Sequence, residues 1–442
     1  MEELYRVTAL GITGFDSQAA VNALPECKDA LEGVKKILSF YIDGLNRSPG
    51  ENSDQPLQLL NAAQEYLTNH SDFDAFNRMQ FIKVYLNPVT KLIGAMKKMR
   101  GYADNRSALY YSTIKKDNTL FVAGGFDVNK YLDDNTSSAD KIELGRKLFF
   151  DPMLSVDGKR SCATCHNPAR AFTDGLRVSV ALDGHSPLTR NAPTLWNAAL
   201  QRNLFLDSRS SSLEDQVMQV LNNAKEMHGS ATIAAKKIIA QDTYKALYAK
   251  AYTLVSPDAA AKNISNAIAC YERTLVALNS KFDKQVRGQE LMNADEINGF
   301  NLFMGKAKCG TCHFAPLFSG SKPPRYYYSE SEVIGVPAKN NFPNSALDAD
   351  AGRFGATQLA IHKYSFKTPT LRNIALTAPY MHNGVYKTLE EVIDFYNRGG
   401  GKGLKIAPAN ETLPFDKLNL TKNEKKNIIL FLKTLTDTTL AH

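Results

Sequence analysis

The sequence predicts a mainly α protein, and three observations carry that expectation. Apolar residues recur at three- and four-residue spacing through 19–40, 56–67 and 73–99. Strand-type alternation is sparse throughout. The same pentapeptide pattern also occurs twice, as Cys162-Ala163-Thr164-Cys165-His166 and Cys309-Gly310-Thr311-Cys312-His313, each behind a stretch that reads as a helix.

Each pentapeptide is the C-x-x-C-H signature of covalent c-type haem attachment. The spacing follows from the chemistry: two thiols add across the two vinyl groups of one porphyrin, and the adjacent imidazole reaches the iron. Paired zinc half-sites are the competing explanation, but a zinc ribbon holds its C-x-x-C pairs roughly 15–20 residues apart. Here Cys165 and Cys309 are far more distant in the chain. Two covalently bound c-type haems are therefore expected, with Cys162, Cys165, Cys309 and Cys312 as attachment residues and His166 and His313 as iron ligands. Cys27 and Cys270 remain, and they read as buried free thiols.

Length and composition set the frame. The 442 residues are enough for two or three domains, and 43% hydrophobic with 22% charged residues is a globular composition. No apolar run approaches the ~18 residues of a membrane helix. The net charge of +8 is moderate and has no basic run of the nucleic-acid type, so no nucleic-acid partner is expected. The start, Met1-Glu2-Glu3-Leu4-Tyr5, shows neither a basic nor an apolar leader region. Haem attachment of this kind takes place outside the bacterial cytoplasm, so the chain reads as a mature or truncated periplasmic form.

Three blocks follow in order. Residues 1–116 read as a helical accessory domain of unreadable role, with a loop at 47–54. A connector begins near 117, with Gly124-Gly125 and Asp133-Asp134-Asn135 as breakers. A helix should start at Ser137 or Ser138, with Asp140 in its first turn, and run towards the first pentapeptide. The second has a matching approach, with Asn293 as N-cap and Glu296 three residues later. A helix feeding a loop that carries C-x-x-C-H resembles the monohaem cytochrome c fold. The expected architecture is thus two cytochrome c-like haem domains, 117–285 and 286–442, preceded by an all-helical N-terminal domain.

Further motifs carry a closer resemblance. They are Leu144-Gly145-Arg146-Lys147-Leu148-Phe149-Phe150-Asp151, Arg190-Asn191-Ala192-Pro193-Thr194-Leu195, Lys367-Thr368-Pro369-Thr370-Leu371-Arg372-Asn373 and Ala378-Pro379-Tyr380-Met381-His382-Asn383-Gly384. In order and spacing they resemble the bacterial dihaem cytochrome c peroxidase family, which includes the MauG-type enzymes, over about residues 137–400. The resemblance implies that the first haem meets hydrogen peroxide and needs an acid/base for O–O cleavage. It makes Glu226, in Lys225-Glu226-Met227, that catalytic group, with Gln216 as its pocket companion. His185, in the loop before Arg190, is a candidate distal ligand of the first haem, although it lies closer to Arg190 than the family pattern.

For the second haem the resemblance places Tyr396 opposite His313, where donor-dependent relatives carry methionine. The alternatives are that Tyr396 is a packed aromatic and that Met381 or another group binds. Tyrosinate is a hard anionic donor that favours ferric iron and lowers the potential. The family's calcium position maps onto the Asn191 side chain and the Thr377 and Pro379 carbonyls, oxygen donors that suit Ca²⁺. Two departures stand out: Leu206 occupies the usual inter-haem tryptophan position, and Val220 replaces a common proline. The expected activity is reduction of hydrogen peroxide to water at the first haem, with electrons relayed through the second. The donor is a small redox protein or an oxidisable protein substrate, and a homodimer is left open. A non-catalytic dihaem electron carrier or redox sensor is the competing reading, and it would need neither Glu226 nor Gln216.

Overall fold

The computed structural model describes residues 1–17, 22–43, 54–102, 114, 119–122, 124–129, 137–253, 257–413 and 417–439. All but the last residue of the loop expected at 47–54, and half of the connector expected from 117, lie outside these residues. The chain is mainly helical, and the one sheet among the described residues is the antiparallel pair Ser331–Glu332 and Phe366–Lys367, with Ser331 opposite Lys367. Among the described residues no helix is long and apolar enough to cross a membrane.

The two helix starts fall where the sequence put them. The helix Ala139–Phe150 begins at Ser138, whose hydroxyl accepts from the Lys141 amide. It stops at Asp151 because Pro152 holds the preceding residue extended, at φ −89° and ψ 121°. The helix Ala294–Met304 begins with a reciprocal capping box: the Asn293 Oδ1 accepts from the Glu296 amide at 2.9 Å, and Glu296 accepts from the Asn293 amide at 2.8 Å.

Each of these helices crosses a later one at a glycine. A Cβ on Gly145 would sit 1.8 Å from the Ala267 carbonyl oxygen of the helix Pro257–Glu272. A Cβ on Gly299 would sit 1.9 Å from the Asn427 oxygen of the helix Lys422–Lys433. The internal repeat is thus a repeated close crossing, and only glycine permits the backbone contact.

Under the first crossing lie Leu144, Leu148, Phe149, Phe172, Trp196, Ile264 and Ile268, all buried. Under the second, Phe282, Phe300, Phe303, Phe318 and Phe431 pack with ring centroids 5.1–5.7 Å apart. The Arg372 guanidinium closes that cluster from one side. It forms a bidentate pair with Asp283 at 2.6 and 2.8 Å, with side chains 1% and 2% exposed. Cys27 and Cys270 are buried free thiols.

The N-terminal helices Glu2–Ala9, Ala23–Asp43 and Gln55–Asn69 precede a segment that runs from Arg78 to Met99. Within that segment Ile82–Leu86 is a π turn. Pro88, which follows, has no amide to donate and would crowd the carbonyl four residues back, so the wider turn relieves it. The buried residues of this block share one apolar cluster with residues 278–435.

The seam between the two pentapeptide-bearing units is polar. Arg190 forms a bidentate pair with Asp350 at 2.7 and 2.9 Å and reaches Asp207 at 2.6 Å. Beside them the Lys367 amide donates to the Leu206 carbonyl at 2.7 Å, and the Lys367 ammonium meets the Gln201 side chain.

Candidate active site and the second haem-type site

Cys162–Cys165 form one helical turn entered at Ser161, whose amide donates to the Thr164 hydroxyl at 3.0 Å. The turn delivers His166, and its Nδ1 lies 3.1 Å from the Phe172 carbonyl. A carbonyl only accepts, so Nδ1 carries the proton and Nε2 keeps its lone pair. His313 repeats the arrangement, with Nδ1 3.1 Å from the Pro369 carbonyl and 3.3 Å from that of Phe318. Burial pushes the His166 pKa down and takes His313 to about 4, which keeps both imidazoles in the neutral, ligating form. With four free thiols beside them, the donor set fits two covalently held haems.

Near the first pentapeptide the chain fixes an acid, Glu226. Asn223 closes the turn that follows the helix Leu213–Asn222: its side-chain oxygen accepts from the Lys225 amide at 2.9 Å. Its side-chain nitrogen donates to Glu226 Oε1, also at 2.9 Å. Burial raises the Glu226 pKa, while Arg209 and Arg160 pull it back down. The Glu226 carboxylate is itself within electrostatic reach of the Cys165 thiol. Arg160 is fixed by the Val180 and Ala181 carbonyls at 2.9 and 2.7 Å. Arg209 is fixed by Asp207 at 2.7 Å and Gln219 at 3.1 Å. Gln216 is half-buried on the helix that leads into this turn.

His185 is not brought in. Its side chain is 82% exposed, in a turn where Asp183 accepts from the His185 and Ser186 amides. Short polar residues drive this turn outward, so in this conformation the imidazole faces solvent. Trp196 is buried edge-on against Phe172, 5.4 Å between centroids, behind His166 rather than on the seam. Leu206 does lie on the seam, through its bond to Lys367.

At the second pentapeptide, Tyr396 projects from the helix Leu389–Asn397. The helix is started by Thr388 and Glu391 and held at its end by Asn397, whose oxygen accepts from the Leu420 amide at 2.8 Å. Burial pushes the Tyr396 phenol well above its usual range, and the neighbouring Cys312 and Cys309 thiols add to the shift. Tyr396 is thus within electrostatic reach of the second motif. Met381 has a left-handed backbone, φ 69°, on the seam loop, and its carbonyl accepts from Asn191 at 2.9 Å.

The positions mapped to calcium are partly gathered. The Asn191 side-chain nitrogen also donates to the Pro379 carbonyl at 3.1 Å, while Thr377 closes a local turn with Ile374. As arranged, the Pro379 and Met381 carbonyls are already satisfied by the Asn191 amide.

Sequence reading missed Asn223, Arg160 and Arg209 around Glu226. It also missed Glu332, whose half-buried carboxyl lies beside Cys312 and accepts from Thr412 at 2.5 Å. Asn223 had a local signal, a turn-forming side chain three residues before the acid. The others are contacts across the fold with no such signal.

Comparison with known proteins agrees with this geometry. Residues 139–291 match the profile of the di-haem cytochrome c peroxidase family. The methylamine utilization protein MauG of Methylorubrum extorquens is 34% identical over 302 residues, spanning 68% of this chain and 79% of that protein. The cytochrome c551 peroxidase of Nitrosomonas europaea is 36% identical over 306 residues, 68% of this chain and 80% of that one. A MauG-like protein associated with microbial copper homeostasis superposes with a TM-score of 0.59 at 32% identity, covering 69% of this chain and 91% of that structure. The diheme peroxidase BthA of Burkholderia thailandensis follows at 0.57 and 26%, covering 68% and 87%. The twin attachment motifs, the half-buried imidazoles beside them and these likenesses lead to one conclusion: the chain belongs to the di-haem cytochrome c peroxidase family and is an oxidoreductase of the peroxidase type.

Proposed function

We propose that hydrogen peroxide is reduced to water in the pocket above His166, with Glu226 as the proton-transfer group. The observation that carries this is the setting of Glu226: a carboxyl raised by burial, oriented by Asn223 and electrostatically coupled to the first motif. A haem held by Cys162, Cys165 and His166 would supply a redox-active iron there, and the two electrons the reduction consumes would come from the redox partner. Glu226 takes the proton from the near peroxide oxygen and returns it to the far one, so that this oxygen leaves as water. Two protons and two electrons per peroxide then give two waters. Gln216 hydrogen-bonds the peroxide and holds it in line, and the two arginines keep Glu226 able to ionise.

In the same reading His313 and Tyr396 would hold the iron of the second haem, which would supply electrons to the first site across the Leu206–Lys367 seam. Tyrosinate ligation favours a MauG-like role, in which a protein or other reductant is oxidised, over an ordinary cytochrome-dependent one. The units 117–285 and 286–442 would then divide chemistry from electron supply, in a periplasmic protein. A calcium ion at Asn191, Thr377 and Pro379 would require Asn191 to turn its oxygen towards the two carbonyls.

Peroxide turnover of wild type against Glu226→Gln tests the proposal. A loss of ~10²–10⁴ fits an acid/base role; an unchanged rate refutes it. If wild type consumes no peroxide, either as isolated or pre-reduced, the carrier or sensor reading takes over. For Tyr396→Phe, a ferric spectrum and potential of the second haem that do not move refute the ligand assignment.

A further inference from the structure

The matched family segment begins at residue 139, so the N-terminal helices lie outside it. The two attachment loops, near-identical in sequence, differ in what lies on them. In the first, Ala163 is half-buried and Thr164 exposed; in the second, Gly310 and Thr311 are both buried. The cover comes from the turns Gly11–Thr13 and Phe15–Ser17. A Cβ on Gly310 would approach Thr13 Cγ2 to 3.1 Å and Met304 Sδ to 2.9 Å, so glycine stands where the first loop carries alanine. The Phe15 ring meets Phe314, the residue after His313, edge-on at 5.2 Å.

The cover is anchored rather than draped. Arg78 is fully buried and donates to the Ile12 carbonyl at 2.8 Å and the Phe73 carbonyl at 2.8 Å. Its guanidinium fills the space a Gly305 Cβ would need, at the end of the helix feeding the second loop. Asn301 on that helix accepts from the Met79 amide at 3.1 Å and donates to Asn77 at 3.2 Å. Arg325 pairs with Glu2 at 2.9 and 3.1 Å.

We propose that the N-terminal block is a fixed cap over the thioether-bearing edge of the second haem, barring a soluble redox protein from that edge. The two thioethers tie one edge of the haem to the Cys309–Cys312 loop, so whatever covers the loop covers that edge. On the first loop the matching residue, Thr164, is exposed. The inference rests on haem attachment at Cys309 and Cys312 and is independent of Glu226 and Tyr396.

Gly310→Ala in the full-length, haem-loaded protein tests it. Attachment chemistry accepts alanine, because the first motif is Cys-Ala-Thr-Cys-His, so the added methyl acts on Thr13 of the cap and on the flexible Met304 thioether. Two readouts are taken: hydrogen exchange of amides 10–17 and 309–313, and stopped-flow reduction of each haem by a small reduced c-type cytochrome. Faster exchange in both segments and a several-fold faster reduction of the second haem are expected, with the first haem unchanged. Thr13→Ser, which deletes Cγ2 but keeps the hydroxyl bonded to Leu10, should reverse part of both changes, the contact with Met304 remaining. Phe15→Ala, which strips cover without touching the motif, should reproduce the gain. Unchanged exchange in Gly310→Ala and Phe15→Ala, or exposed loops with no gain in reduction rate, overturns the cap.

Discussion

Gly299→Ala separates a glycine that a close contact requires from one the helix merely tolerates. The added Cβ would stand 1.9 Å from the Asn427 oxygen, 2.5 Å from its carbonyl carbon and 2.9 Å from Phe431 Cβ. Side-chain carbons stay beyond 3.0 Å from such neighbours, so the two helices must part by about 1 Å. The obstructing atom belongs to a helix backbone, and no rotamer change can relieve it. Overpacking of this kind costs typically 1–3 kcal/mol, and a backbone obstruction belongs at the upper end. Parting also loosens Phe300, Phe303 and Ile428, all essentially fully buried. Against this, alanine gains about 1 kcal/mol of helix propensity over glycine. The net is a destabilisation of about 2 kcal/mol, which lowers the thermal midpoint of the second unit by several degrees. The assay is thermal unfolding followed at the second haem's absorbance and by far-UV circular dichroism. Gly33→Ala is the control: it lies on the exposed face of the helix Ala23–Asp43 with nothing within 4 Å, and it should stabilise by about 0.5–1 kcal/mol. A rise in midpoint for Gly299→Ala to match the control would refute the crossing argument.

Other expectations follow from buried charge. Glu272 is buried with Oε2 lacking a partner, and burial raises its pKa to about 8. Unfolding lets it ionise at its ordinary value, so its stabilising contribution is full below about pH 4.5 and is lost as pH rises through about 8. Glu272→Gln should flatten that slope, seen as urea midpoints measured from pH 5 to 9; an unaltered slope would count against it. Asp283→Ala leaves the Arg372 guanidinium buried without its carboxylate and should cost about 3–5 kcal/mol in urea unfolding, with a cost under 1 kcal/mol contradicting that reading. Chelation with EGTA should lower the thermal midpoint of wild type but not of Asn191→Ala if calcium binds at the seam. Equal midpoints with and without chelator would exclude the ion.

The chemistry was legible because it is local. The two Cys-x-x-Cys-His motifs and the capped helices at Ser138 and Asn293 each sit within a few residues, and short-range spacing determines them. The roles proposed for Glu226 and Tyr396 rest on position within a family pattern, since a lone glutamate or tyrosine carries no signal. What tertiary structure decided is everything formed across the chain: the arginines facing Glu226, the glycine crossings at 145 and 299, and the outward turn of His185. It also decided the difference between the two Cys-x-x-Cys-His loops. No residue inside either pentapeptide announces that one is covered and the other open. Gly310 in place of Ala163 is the sole trace, and it becomes readable only once Thr13, almost three hundred residues earlier, is found lying against it. Local sequence sets which groups can react, whereas burial depends on what distant segments pack over them.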